Sequence, residues 1–327
     1  MNQNNSISAR IVRANQCALW TALVTPFNQD GEIDYASLKA IASEQAQAGN
    51  GILLLGSTGE GLALNYDEQL AIVSFVCQLG LNTPIMVAVG GYNLAEQVRW
   101  IEQCNELTID AYLLGSPLYA KPGALGQQQW FERLLDTANF PCMLYNVPSR
   151  SGVDIPISTI KQLQHHENCW AMKEASGDIN TFLAYQQHCP DIALFSGEDA
   201  MMPYLAPAGV KGLVSVCANA WPQATNRYVD ICLNRKPEQV YQLFPLWNNA
   251  VAALFSVANP IPVKVLMHQQ GVINSPVLRA PLTHEELTET AALLDFDKQI
   301  NQWLASEQTN NPHLSVPTTA GSEALLN

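Results

Sequence analysis

Cys142-Met143-Leu144-Tyr145-Asn146 and, one helix later, Cys169-Trp170-Ala171-Met172-Lys173 are the two runs on which the fold turns. Each is short, apolar without alternation, and ended by a residue able to do chemistry. Unbroken hydrophobicity marks a strand covered on both faces, as in a parallel sheet. A helix near 157–166 separates them, so the pair reads as a β-α-β unit.

The unit recurs in both directions. Upstream, apolar runs lie at 18–25, 52–55, 84–89 and 111–114; downstream, at 192–196 and 212–216. Helical spacing opens at Asp34, at Asn65 with Glu68 three residues on, at Asn93 with Glu96, and near Gln127. Eight strands alternating with helices at intervals of roughly 20 to 33 residues fit a parallel βα architecture. An open doubly wound sheet is the competitor, but the first strand is not followed by G-x-G-x-x-G. The expected fold is α/β, a (βα)8 TIM barrel over 17–234 with a C-terminal helical extension over 235–305. Its helices are placed at 237–255, 260–270 and 283–305. The polar segment 1–16 is expected to be a flexible leader, and 306–327, rich in Thr, Asn, Ser and Pro, a disordered tail.

Composition narrows the function. Of 327 residues, 48 % are hydrophobic and 14 % charged, a globular balance. The net charge of −13 argues against nucleic acid and anionic membranes as partners. The eight cysteines are scattered with no C-x-x-C pair, as for core thiols in a reducing compartment. The first 16 residues lack the apolar core of a secretory signal, and no apolar run has the length of a membrane span. The expected location is the cytoplasm.

Active sites of βα barrels lie at the C-terminal ends of the strands. Those ends supply Thr25, Ser57-Thr58-Gly59-Glu60, Gly90-Gly91, Tyr119, Tyr145, Lys173, Gly197 and Ser215. The set holds hydroxyls, glycines and one lysine, but no His/Cys/carboxylate cluster with metal-ligand spacing. Lys173 alone among eight lysines ends a buried strand at this mouth. A desolvated lysine amine is a nucleophile toward carbonyls. The blander reading is an ion pair with Glu60 or Glu174, and spacing alone leaves both open. Tyr145, on the neighbouring strand, would move protons for an imine; the alternative is a packed tyrosine with a satisfied hydroxyl. The turn bearing Ser57 and Thr58 could hold a carboxylate on its backbone N–H groups, and Arg150 could bind a second one. A plain turn and a surface arginine are the alternatives.

Four segments carry a resemblance: Gly56-Ser57-Thr58-Gly59-Glu60, Tyr145-Asn146-Val147-Pro148-Ser149-Arg150-Ser151-Gly152, Lys173-Glu174-Ala175-Ser176-Gly177 and Asn259-Pro260-Ile261-Pro262-Val263-Lys264. In this order they resemble the dihydrodipicolinate synthase / N-acetylneuraminate lyase family, over about 20–282. The resemblance implies that Lys173 forms an imine with pyruvate and that Tyr145 donates and accepts protons. Ser57 and Tyr119 would complete a proton relay, with Tyr119 supplied by a neighbouring subunit of a homodimer or homotetramer. Thr58, Val214 and Gly197 would line the pyruvate site. Arg150 would hold the carboxylate of aspartate 4-semialdehyde, leading to 4-hydroxy-tetrahydrodipicolinate on the route to diaminopimelate and lysine. Neither cofactor nor metal is implied.

This chain departs from the family pattern in places. Ser57 stands where threonine is common, and Leu118 replaces an aromatic. Tyr66 and Gln69 stand where lysine-inhibited members carry histidines, so the resemblance carries no expectation of lysine inhibition. A pyruvate-dependent sugar-acid aldolase and a non-catalytic carboxylate-binding barrel are the alternative functions.

Overall fold

The computed structural model describes residues 3–234 and 237–310. Its strands are β1 (Leu19–Ala22), β2 (Gly51–Leu54), β3 (Ile85–Val89), β4 (Ala111–Gly115), β5 (Cys142–Asn146), β6 (Cys169–Glu174), β7 (Ala193–Ser196) and β8 (Gly212–Ser215). Each pairs in parallel with the next, and β8 returns to β1 with Val214 opposite Trp20, closing the barrel. The two runs that decided the reading are thus neighbours. A register shift between Cys142 and Met143 sets Tyr145 directly across from Lys173.

Local chemistry explains where the helices begin. Asp34 accepts the Ser37 amide to start Tyr35–Gln47. Asn65 and Glu68 form a reciprocal capping box at Tyr66–Gln78, and Asn93 accepts from Ala95 and Glu96 at Leu94–Cys104. One apolar layer fills the space between strands and helices. A second fills the barrel itself, from Trp20, Leu53, Met86, Leu113, Met143, Phe195 and Val214. Trp20 fits there because position 51 is glycine: a Cβ would lie 2.5 Å from the indole. Trp170 meets Trp20 and Phe195 edge-on, with ring centroids 6.4 and 5.7 Å away.

The segment expected to be a loose leader is helical over Gln3–Asn15 and closes the strand-start end of the barrel. Ala14 and Ile11 pack into the inner layer. Arg13 reaches the Thr83 carbonyl at 3.0 Å and Asp110 at 3.4 Å, and Asn15 accepts the Trp170 indole N–H at 2.8 Å. Arg10 lies 4.0 Å over the Phe140 ring. Its arginines thus satisfy the chain just before β3, β4 and β5, a role that a polar composition conceals.

At the other end, Thr283 caps only the 3-10 turn His284–Glu286, and a fresh helix runs Ala291–Asn310. It continues through 306–310, expected as tail; residues 311–327 lie outside those described. The extension docks on the helix Pro222–Asn234 through Trp247, which stacks on Tyr228 at 4.2 Å and meets Trp221 and Trp303 edge-on. Among the described residues, no helix is long and apolar enough to cross a membrane.

Candidate active site

At the C-terminal ends of the strands, the side chains of Lys173 and Tyr145 meet. The Lys173 ammonium lies 4.3 Å from the centroid of the Tyr145 ring, and Lys173 is buried. Neither acid set against it in the ion-pair reading is free. Glu60 takes Lys264 at 2.7 Å, while Glu174 accepts the Asn146 amide at 3.1 Å and the Ser176 N–H at 2.8 Å. Gly197, at the end of β7, makes room for the lysine: a Cβ there would stand 2.7 Å from Lys173 Cε and 2.5 Å from Ala175 Cβ.

A cavity of about 380 Å³ is lined by Tyr145, though not by Lys173, and brings Ser57, Tyr145 and Arg150 to one space, with Leu118, Gln69, Gln97 and Trp100 also in its wall. Arg150 lies on the short helix Pro148–Ser151, just after β5. Ser57 is half-buried, whereas its neighbour Thr58 is buried and accepts the Asn259 amide N–H at 3.0 Å. Val214 sits in the inner layer of the barrel with Trp20. Tyr119 is the residue the fold does not bring in. It is 91 % exposed, with its backbone at φ 67.

Two parts of the surroundings were not singled out from sequence. The first is the pair Lys264–Glu60, fully enclosed. Lys264 also donates to the Thr25 carbonyl at 2.9 Å, and Glu60 accepts the Arg279 N–H at 2.8 Å. Burial pushes Lys264 down to about 8, against the pull of the Glu60 carboxylate. Glu60 is at φ 53, so a residue in a strained backbone is pinned by a residue from the C-terminal extension. A lysine inside the apolar run Ile261-Pro262-Val263-Lys264-Val265-Leu266 was the available signal, since buried cations need partners.

The second is Glu198, after β7. Burial and then Asp199 push its carboxyl up to about 7, with Glu174 adding and with Lys173 and Arg150 opposing. A carboxyl raised in the folded state contributes stability that is complete below the unfolded value and is lost as pH rises through the folded value. Glu198→Gln removes that loss. Its unfolding midpoint should exceed the wild type's by a few degrees near about pH 8, with no difference near about pH 4. Equal midpoints in thermal scans at the higher pH would contradict the buried-carboxyl account.

Below Glu198, Asp199 accepts the Ser215 hydroxyl and the N–H groups of Val216 at 3.1 Å and Cys217 at 3.4 Å, fixing the exit of β8. Among the described residues, no group of three or more His, Cys, Asp or Glu side chains is gathered as a metal-ligand set.

Comparisons with known proteins bear on the whole of this arrangement. The model of the dihydrodipicolinate synthetase family matches residues 16–300. A 4-hydroxy-tetrahydrodipicolinate synthase of Francisella philomiragia is 47 % identical over 287 residues, covering 88 % of this chain and 97 % of that protein. One from Wolbachia pipientis subsp. Culex pipiens is 44 % identical over 294 residues, 90 % of this chain and 98 % of that protein. Among solved structures, the chloride-inhibited dihydrodipicolinate synthase of Acinetobacter baumannii, complexed with pyruvate, aligns with a TM-score of 0.79 at 29 % identity. It covers 89 % of this chain and 98 % of that one. The matched span takes in every barrel strand, the 56–60 turn, Tyr145, Lys173 and the 259–264 segment. It leaves aside the helix that plugs the barrel floor. With the barrel and the whole catalytic mouth inside that span, the chain belongs to the dihydrodipicolinate synthetase family.

Proposed function

We propose that the chain is a Schiff-base-forming lyase that condenses pyruvate with aspartate 4-semialdehyde to give 4-hydroxy-tetrahydrodipicolinate, in the biosynthesis of diaminopimelate and lysine. The observation that carries this is the contact of Lys173 with Tyr145 on adjoining strands at the catalytic mouth. The amine of Lys173 attacks the C2 carbonyl of pyruvate, and loss of water leaves an imine. Loss of a C3 proton gives the enamine, whose C3 attacks the aldehyde carbon. Attack of the semialdehyde's amino nitrogen on the imine carbon, the former C2, closes the ring and expels the amine of Lys173. Tyr145 shuttles the protons of these steps, with Ser57 and Tyr119 passing them on toward solvent. Thr58 donates to the pyruvate carboxylate, Val214 packs against the pyruvate, and Gly197 leaves the lysine its path.

Arg150 receives the second carboxylate. It lines the same cavity as Tyr145 and Ser57, so an aldehyde held there is brought beside the proton-shuttling tyrosine. Loss of a charge-assisted, forked contact costs about a hundredfold in kcat/KM for the aldehyde, so that is the fall expected for Arg150→Ala. Trapping of pyruvate alone should be unchanged in that variant. An undiminished kcat/KM would remove Arg150 from its role.

The synthase reaction itself is tested by assaying pyruvate with aspartate 4-semialdehyde beside N-acetylneuraminate and 2-keto-3-deoxy-gluconate cleavage. Turnover of a sugar acid but not of the semialdehyde would overturn the reading. Neither sugar-acid cleavage nor a non-catalytic barrel draws support from the relatives described above.

Self-association belongs to the same proposal. Tyr119, Leu62, Tyr92 and Tyr66 are 91, 67, 66 and 45 % exposed and follow β2, β3 and β4 on one side of the mouth. So much exposed aromatic and aliphatic surface in one region fits a contact with a second copy of the chain.

A further inference from the structure

Ser57 and Thr58 are adjacent hydroxyls with different surroundings. Ser57 faces the cavity. Thr58 is buried, and its Oγ1 accepts an N–H from the side chain of Asn259, 201 residues further along the chain. A hydroxyl carries one proton and two lone pairs. With a lone pair engaged by the amide, the Thr58 proton points elsewhere. The neighbouring hydroxyl, Thr25, is spent on the Gly59 carbonyl at 2.6 Å. The amide N–H faces Thr58, and Asn259 Oδ1 is buried without a hydrogen-bond partner.

Asn259 is itself held in place. It precedes the helix Ile261–Gln269, whose Lys264 is locked to Glu60 and to the Thr25 carbonyl. Asn259 and Lys264 therefore grip the 58–60 turn at two points, one at the hydroxyl and one at the acid.

We propose that Asn259 is a positioning residue that fixes Thr58 as a hydrogen-bond donor toward the carboxylate of the α-keto acid substrate. The C-terminal extension thereby sets the affinity of a site whose chemistry lies in the barrel. This inference rests on the Schiff-base reading given above and concerns one step of it, the capture of pyruvate.

The test compares wild type, Asn259→Ala, Asn259→Asp, Thr58→Val and the double variant Asn259→Ala/Thr58→Val. KM for pyruvate, kcat, and the mass adduct left by borohydride at saturating pyruvate are measured for each. Asn259→Ala should raise KM for pyruvate about tenfold while kcat stays within about twofold, because the hydroxyl loses its direction but the lysine does not. Asn259→Asp is nearly isosteric, accepts the Thr58 proton and opposes the substrate carboxylate, so its KM should rise further, about a hundredfold. The double variant should be no worse than Thr58→Val alone, since Asn259 acts through Thr58.

An unchanged KM in Asn259→Ala, or penalties that multiply in the double variant, overturns the inference. Should the alanine variant fail to fold, Asn259→Asp decides by itself, and an unchanged KM there has the same force. A wild type that gives no adduct with pyruvate refutes the Schiff-base reading instead. An adduct in the wild type with an unmoved KM in the variants refutes only the role of Asn259.

Discussion

Lys173→Ala should leave no borohydride-trapped pyruvate adduct and should lower turnover by about 10,000-fold or more. The size follows from what is removed. Without the amine there is no imine, so the C3 proton of pyruvate must be lost without an electron sink, and no other residue near Tyr145 supplies one. Packing does not account for such a loss. Lys173 is the penultimate residue of β6 with its ammonium against the Tyr145 ring, and an alanine there leaves the backbone pairing of β5 with β6 in place. Lys173→Met separates the two effects, because it keeps most of the side-chain volume and removes only the nucleophile. Both variants should unfold near the wild-type temperature yet fail to trap pyruvate. An adduct of pyruvate mass in Lys173→Ala would place the imine on another lysine, and Lys264 would then be examined first. That outcome is disfavoured by the fold: Lys264 is fully buried and engaged with Glu60 and the Thr25 carbonyl.

The barrel was legible because its strands are buried on both faces and end sharply. Residues 142–146 and 169–173 were read as strands from their unbroken hydrophobicity, and the structure differs by one residue at the end of the second. The capping box at Asn65 and Glu68 was legible for a similar reason: its donors and acceptors lie within four residues. What escaped is non-local. The grip of Asn259 on Thr58 and of Lys264 on Glu60 joins positions 201 and 204 apart, and no periodicity encodes such a pairing. The segment 259–264 was noticed only as part of a resemblance, with no place in the site. The first helix escaped differently. Its contacts run from Arg10, Arg13 and Asn15 to groups at the strand starts, so a sequence that looks solvated is in fact a polar plug. Tyr119 was placed after the fourth strand correctly, but nothing within one chain explains why its side chain is left exposed.

Two crippled chains should restore one another. Tyr119→Phe alone is expected to lose about a hundredfold or more in kcat, the usual weight of a proton-transfer group. Mixed in equal amounts with Lys173→Ala and allowed to exchange subunits, it should recover about a quarter of the wild-type activity. The arithmetic is that of a two-fold contact. Half the pairs are mixed, and in each mixed pair the chain that keeps Lys173 receives an intact Tyr119 from its partner; the other site lacks both. If Tyr119 served its own chain, every site in the mixture would lack either the lysine or the phenol. Activity would then stay at the residual level of Tyr119→Phe. The geometry favours the first outcome. Tyr119 is 91 % exposed and sits at φ 67, next to Lys121 at φ 49. Two residues other than glycine in left-handed backbone cost on the order of 1–3 kcal/mol each, and that cost needs compensation. An isolated chain offers Tyr119 little, whereas a neighbouring subunit can give its ring a packing surface and its hydroxyl a partner. The Leu118 N–H donates to the Gly91 carbonyl at 3.0 Å, which anchors the base of the turn while the tyrosine projects beyond it. Recovery should therefore depend on protein concentration, falling on dilution as the mixed pairs separate. No recovery in a mixture shown to exchange subunits would mean that Tyr119 does not act across a subunit contact.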